Sequence, residues 1–314
     1  MVRFLTIRLS LIVATLLVVS LAIFTITEIL PGDVATMMLR QGATEQNLKK
    51  VREDLGLNRP AHVRYLSWIG GLVQGDLGNS YAQKRPIVDI VKQRLGNSAI
   101  LAIFAFLVAM PIAVVAGIWA GVRRDTLGDR IVSVTSLVGI SLPEFVTGVL
   151  FILLFSSALN LFPSTSIIPP GTSPLARPQI LVLPMFTLTG VFFAYVMRMT
   201  RANVIEVMQA NYVRTAVLKG LPMRRVIFRH VIPNAMLPTI TIIAQNIGWM
   251  LGGLIIVESV FAYPGLGQEL LKSIQARDVP LLQALALLVA VTYSISNLVA
   301  DLCYTVLDPR IRLA

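Results

Sequence analysis

Six stretches of the chain run about as long as a bilayer core with almost no Asp, Glu, Lys or Arg. They are Leu9–Thr27, Leu95–Val122, Ile131–Ala158, Pro178–Met197, Pro238–Val260 and Val279–Ala300. Glu144 interrupts the third and Glu258 lies near the end of the fifth. A hydrocarbon core about 30 Å thick needs roughly 20 apolar residues in a helix. The pattern therefore predicts an all-α membrane protein with six transmembrane helices. The first stretch follows Arg3 and Arg8, as a secretory signal would, but it is longer than a signal's apolar part. Ile29-Leu30-Pro31-Gly32 is also a poor cleavage site, so the stretch reads as a retained anchor helix.

Between the first two spans, Pro31–Arg94 carries helical signals. Thr44 can cap a helix running to about Leu55, with Gly56 suited to its end. Pro60 can open a second, amphipathic helix through Tyr65, Leu66, Trp68, Ile69 and Leu72. Gly75-Asp76-Leu77-Gly78 reads as a turn. Pro86–Leu95 places Ile87, Ile90, Val91 and Leu95 on one helical face. This segment is either a small helical cap or a docking surface for an external partner. The chain divides into an anchor and helical loop at 1–94, a membrane core at 95–305 and a tail at 306–314.

Composition agrees with the pattern. Of the 314 residues 55% are hydrophobic and 14% are charged, against about 25% charged in soluble domains. The net charge is +11. In a membrane protein that excess belongs on the cytoplasmic side, so it does not call for nucleic acid as a partner. One set of short loops and ends holds 14 Lys and Arg, from Arg3 to Arg312, and the opposite short loops hold three: Arg177, Lys272 and Arg277. The asymmetry predicts that both termini are cytoplasmic. The lone Cys303 excludes an internal disulfide and a cysteine metal cluster, and reads as a small buried side chain. No metal-ligand motif and no catalytic set is present; His62 and His230 stand alone, and Asp301 has no acidic partner for membrane proteolysis.

The segment from Arg198 to Val231 is too long for a simple turn between spans. Gly220 followed by Pro222 marks a helix end and a restart, so a short helix, a sharp turn and a second helix lead into the fifth span. Small Thr215 and Ala216 leave room for another protein's surface, and Arg224, Arg225 and Arg229 can hold acidic groups. A basic helix resting on anionic lipid is the alternative. A DNA-reading helix pair fails because both ends are tethered to the membrane.

Arg214-Thr215-Ala216, Gly220, and His230, Ile232 and Pro233 fall in the register of the E-A-A-x3-G-x9-I-x-L-P loop of ABC-importer permeases, with Arg214 in place of Glu and His230 in place of Ile. Tyr212-Val213-Arg214-Thr215-Ala216 and Asn234-Ala235-Met236-Leu237-Pro238 resemble the B-type permeases of the dipeptide/oligopeptide/nickel family. So do Pro31-Gly32-Asp33, Leu55–Pro60, Gly75–Gly78, Val257–Phe261, Tyr263–Gly267 and Asp308–Arg312, in that order along the chain.

The resemblance implies a type I ABC-importer permease fold in a bacterial inner membrane. It implies a second homologous permease subunit, two cytoplasmic ATPase subunits that bind ATP and Mg, and a periplasmic solute-binding protein. In that reading Tyr212, Arg214, Thr215, Ala216, Lys219, Gly220, Arg224, Arg225 and Pro233 form the ATPase-coupling loop. The chain has no G-x-x-x-x-G-K-[ST] phosphate loop, so it is not itself the ATPase and needs no cofactor of its own. The cargo class extends over peptides, nickel chelates, opines and sugars.

Polar groups inside the spans are candidates for the solute pathway. Glu144 lies about 20 Å along the third span counted from Ile131, and a charge at such depth costs at least ~2.5 kcal/mol unless paired or wetted. Pro143 before it bends the helix. Glu144 either lines the pathway or faces a partner, or is a hydrogen-bonded structural carboxyl. Gln245, Asn246 and Ser273 are further candidates, with interhelical hydrogen bonding as the alternative. Glu258 is a candidate too, or else it fixes the turn before Tyr263-Pro264-Gly265. Gly248, Gly252 and Gly253 permit close helix packing. An ion-gradient-driven secondary transporter is the rival function; it predicts charged relays and paired broken helices, which Glu144 alone partly meets.

Overall fold

The computed structural model describes residues 2–29, 44–54, 58–169 and 171–307. Pro31-Gly32-Asp33, Gly56 and Asp308–Arg312, singled out above, lie outside these, as does the side chain of Cys303. The described residues form the α-helices α1 (Val2–Ile29), α2 (Glu45–Asp54), α3 (Ala61–Val73), α4 (Ile87–Val122), α5 (Leu127–Ser141), α6 (Glu144–Phe151), which a π-helical turn extends over Ile152–Ala158, α7 (Gln179–Met208), α8 (Asn211–Leu218), α9 (Met223–Val226), α10 (Ile232–Val260), α11 (Leu266–Gln275) and α12 (Val279–Leu307), joined by loops and turns. Five helices are long and apolar enough to cross a membrane, and α5 with α6 and its π-helical extension to Ala158 is apolar enough for a sixth if the bent pair counts as one span.

Three boundaries differ from the sequence reading. The second span does not begin at Leu95. α4 runs unbroken over 36 residues from Ile87, about 54 Å at 1.5 Å per residue, because no proline falls in its first six turns. On its first turns Ile87, Ile90 and Val91 are buried, but Leu95 is on the exposed side. The fifth span starts earlier than Pro238. α9 continues through a π-helical turn, Ile227–Val231, into α10. Pro233 cannot donate to the carbonyl of Arg229, and the widened turn absorbs that misfit. The third span is not one rod: α5 and α6 meet at Leu142–Pro143 with a bend of 107°, so counting residues from Ile131 does not give the depth of Glu144.

The chain forms two compact units, described separately. The first comprises Met1–Asn97 with Pro264–Ser294. Here α1 turns Ser20, Phe24 and Thr27 inward, a spacing of four and three that lines one helical face. Ser20 Oγ and the Tyr65 hydroxyl share a 2.9 Å hydrogen bond, Gln283 Nε2 donates to Thr27 Oγ1 at 2.7 Å, and Arg64 pairs with Glu28. Tyr65 and Trp68 of α3 pack on Phe24, whereas Leu66 points away and is exposed.

The Asn79–Pro86 loop of this unit, closed by a bridge between those residues, is seated on buried acids. The carboxylate of Asp278 accepts from Ser80 Oγ, from the Tyr81 and Ala82 backbone N–H groups and from Leu281 N. Glu269 on α11 accepts from Gln83 Nε2 and pairs with Arg94 at 2.9 Å. Ser273, a cargo candidate from sequence, is buried here and donates to the Leu270 carbonyl at 2.7 Å.

The second unit comprises Ser98–Tyr263 with Ile295–Ala314. Its core joins Leu101, Ala113, Leu183, Leu188, Phe192, Val196, Leu254, Val257 and Tyr263. α4 approaches α7 closely through Gly117 and Gly121: a Cβ on Gly117 would lie 2.6 Å from the Met197 carbonyl, and one on Gly121 2.8 Å from Val204. This is the small-xxx-small spacing that lets two membrane helices touch backbone to backbone.

Candidate functional site

The Arg198–Val231 segment folds as its glycine and proline dictate. α7 ends at Met208, Ala210 is extended, and α8 runs for eight residues. Gly220 has φ +76°. Its N–H donates to the Val217 carbonyl at 2.9 Å, and Leu221 N donates to the Ala216 carbonyl at 3.4 Å. These two bonds are the Schellman pairing that closes a helix C-terminus with a left-handed residue. Pro222 is extended and caps α9, with Arg225 N donating to its carbonyl at 2.8 Å.

The loop is seated by an apolar cluster. Val213 and Ala216 of α8, Val226, Val231, Ala235 and Val204 are buried together, with Leu221, Ile118 and Val122 packed around them. Ala216 is only 6% exposed. Its small side chain fits the apolar seat that supports the loop. The face turned outward holds Tyr212, Arg214, Thr215, Val217, Leu218 and Lys219. Leu218 is 79% exposed, an apolar group on a polar helix with none of the described residues covering it. Arg224, Arg225 and Pro233 are exposed as well.

The pathway candidates are not brought into one cluster. Glu144 opens α6 directly after the bend, capped by Pro143. Its carboxylate lies over Gly253 of α10: a Cβ there would come within 2.5 Å of Oε1 and 2.7 Å of Oε2. Oε2 is buried with no hydrogen-bond partner. Gly252 beside it faces open space. Gln245 is exposed on α10, while Asn246 is buried and donates to the Ile242 carbonyl at 2.7 Å. Glu258 is fully buried and accepts from Ser98 Oγ, and its carbonyl accepts from Tyr263 N at 2.8 Å. These two contacts are within the chain and help to hold the turn at Tyr263.

One site escaped the sequence reading. Asp129 in the first turn of α5 is buried and takes a two-pronged contact from Arg201 of α7, Nε to Oδ1 at 2.5 Å and Nη2 to Oδ2 at 2.7 Å. By sequence Arg201 is one of the 14 Lys and Arg of the more basic set of short loops and ends, with nothing to single it out. The local signal was Thr126-Leu127-Gly128-Asp129, an N-cap pattern with an acid at the third position.

Five apolar helices long enough to cross a membrane, a bent apolar pair beside them, and a folded amphipathic loop between two of the helices make this a multi-pass membrane protein of the permease class. Residues 113–313 match the family described as the binding-protein-dependent transport system inner membrane component, and residues 1–102 match the N-terminal part of such components. The chain is 34% identical over 300 residues to a peptide transport system permease protein of Brucella abortus (strain 2308), covering 96% of each. It is 34% identical over 299 residues to the oligopeptide transport system permease protein AppB of Bacillus subtilis (strain 168), covering 94% of this chain and 95% of AppB. A peptide permease protein of Brucella ovis is 35% identical over 319 residues and covers both chains in full. The chain belongs to the family of binding-protein-dependent transport inner-membrane components and is a permease subunit of an ABC importer.

Proposed function

We propose that this chain forms half of the translocation pathway for a peptide-like solute. It pairs with a second, homologous permease. Two ATPase subunits carrying ATP and Mg engage the α8 loop, and a periplasmic binding protein delivers the cargo. Both termini lie in the cytoplasm, as the 14-to-3 distribution of Lys and Arg supports. The peptide class rests on what the relatives named above are said to transport.

The observation that carries the reading is the outward face of α8. Tyr212, Arg214, Thr215, Leu218 and Lys219 are presented on a helix whose other face is locked into the chain. A pushing surface must combine those properties: it is free to be covered and does not yield when loaded. ATP-driven closure of the ATPases then shifts α8, and the two permeases rock between two access states. The driving energy is the difference in contacts that the ATPases make with those two states. Glu144, at the break with Oε2 unpaired, is the pathway group.

The test is uptake of radiolabelled trialanine into vesicles holding the co-expressed complex, with binding protein outside and ATP inside. Uptake should require ATP and fall in Glu144→Gln while the subunits still copurify. Uptake driven by an ion gradient without ATP would overturn the reading in favour of a secondary transporter.

A further inference from the structure

Asp129 and Arg201 join the first turn of α5 to α7, the helix that leads into α8. Asp129 is buried, its side chain 2% exposed against 27% for Arg201. Besides the two Arg201 contacts it accepts from Asp125 N at 2.9 Å and from Ser133 Oγ at 3.3 Å. Its own N–H donates to Thr126 Oγ1. Asp125 is held at φ +63°. The Trp119 ring packs on Gly128, and the Arg123 guanidinium lies 5.2 Å over that ring. The α4–α5 turn is therefore stiff, and the carboxylate it presents has one fixed orientation.

Both partners connect onward. Arg201 is three residues before Val204, which belongs to the cluster that seats α8, and α7 ends just before that helix. Asp129 begins α5, whose far end is the 107° break into α6 and Glu144. The pair joins α5 to α7 by charge as well as by packing. A two-pronged guanidinium–carboxylate contact fixes angle as well as distance.

We propose that the Asp129–Arg201 pair is the joint that carries displacement of the docking loop into the broken span. It ties α7, which moves with α8, to α5, so that force applied at Tyr212–Lys219 changes the bend at Leu142–Pro143. Both are positioning residues: neither touches the cargo or the ATPase. The inference rests on the docking reading given above, and its test separates the two.

The full complex is placed in nanodiscs with Cys303 replaced by Ala and Thr147→Cys as a reporter on α6. The rate of maleimide labelling at residue 147 is measured with and without ATP and vanadate. In the parent chain the two rates should differ by about tenfold, within the range of typical coupling between sites. Arg201→Met should keep the ATPases bound but bring the two rates together, and Arg201→Lys should recover part of the difference. An Arg201→Met complex that keeps the full difference overturns the joint. So does a parent chain with none, or a loss of assembly in both variants, which would make the pair an element of the fold alone. A parent chain that fails to bind the ATPases at all refutes the docking reading instead, and copurification reports this before any labelling.

Discussion

The α8–α9 loop is seated by apolar side chains, whereas the Asn79–Pro86 loop is seated by two buried carboxylates. Under α8, Val213, Ala216 and Val226 pack on Val204, Val231 and Ala235, and the polar residues are all turned outward. Under Asn79–Pro86 the arrangement inverts: Asp278 and Glu269, each 1% exposed, take up the loop's own N–H and hydroxyl groups. Apolar seating is non-directional and spreads the load over the whole packed face rather than over any one contact. Hydrogen bonds to a buried charge are directional, and leaving them unmade is costly. The first loop is suited to being pushed as a unit, and the second to holding one shape.

The contrast is broken most strongly at Asp278. Asp278→Ala strands the Tyr81, Ala82 and Leu281 N–H groups and the Ser80 hydroxyl, which should destabilise the first unit by about 4 kcal/mol. Limited proteolysis in detergent should then cut within Asn79–Pro86, and an uncut loop would show that the carboxylate does not hold it. Next in size is Ala216→Arg, which forces a charge into the apolar seat of α8 at a cost of about 3 kcal/mol. Thermal unfolding should report that loss; unchanged unfolding with loss of the ATPase alone would mean that Ala216 faces the partner.

The smallest effect concerns pH. Burial, and then the Asp278 charge, hold the Tyr81 hydroxyl above its ordinary value of 10.0. The folded loop keeps a proton that the unfolded chain loses, so its stability is complete below pH 10 and declines as pH rises toward the folded value. Proteolysis of the loop should accelerate in that range, and Tyr81→Phe should remove the acceleration.

Hydropathy made the spans legible because a membrane demands long uncharged runs, and the α8 turn was legible because Gly220 and Pro222 allow few backbone paths. The inward face of Ala216 was not, since a small residue fits equally well against its own chain or another. Pro143 predicted a bend, but its size depends on what α6 packs against, and Gly148 seats α6 on Val260 and Phe261. The polar contacts were hidden for a different reason. Asp129 and Arg201 are 72 positions apart, and Ser80 and Asp278 are 198 apart. Such pairings carry no periodicity, and only the helix-capping half of the Asp129 site had a local signature.

The central claim is that α8, aimed by the left-handed residue behind it, couples ATP hydrolysis to transport. Gly220→Val tests it most directly. A Cβ at Gly220 meets no atom within 4 Å, so the substitution acts through backbone conformation at φ +76°, costing about 1–2 kcal/mol. That is small for the fold and enough to redirect α8. The measurement is binding-protein-stimulated ATP hydrolysis by the purified complex in nanodiscs. The account predicts that Gly220→Val inserts and unfolds thermally almost as the parent does, yet loses the stimulation or the ATPases themselves. A Gly220→Val complex that holds both ATPases and shows full stimulation and uptake would contradict it.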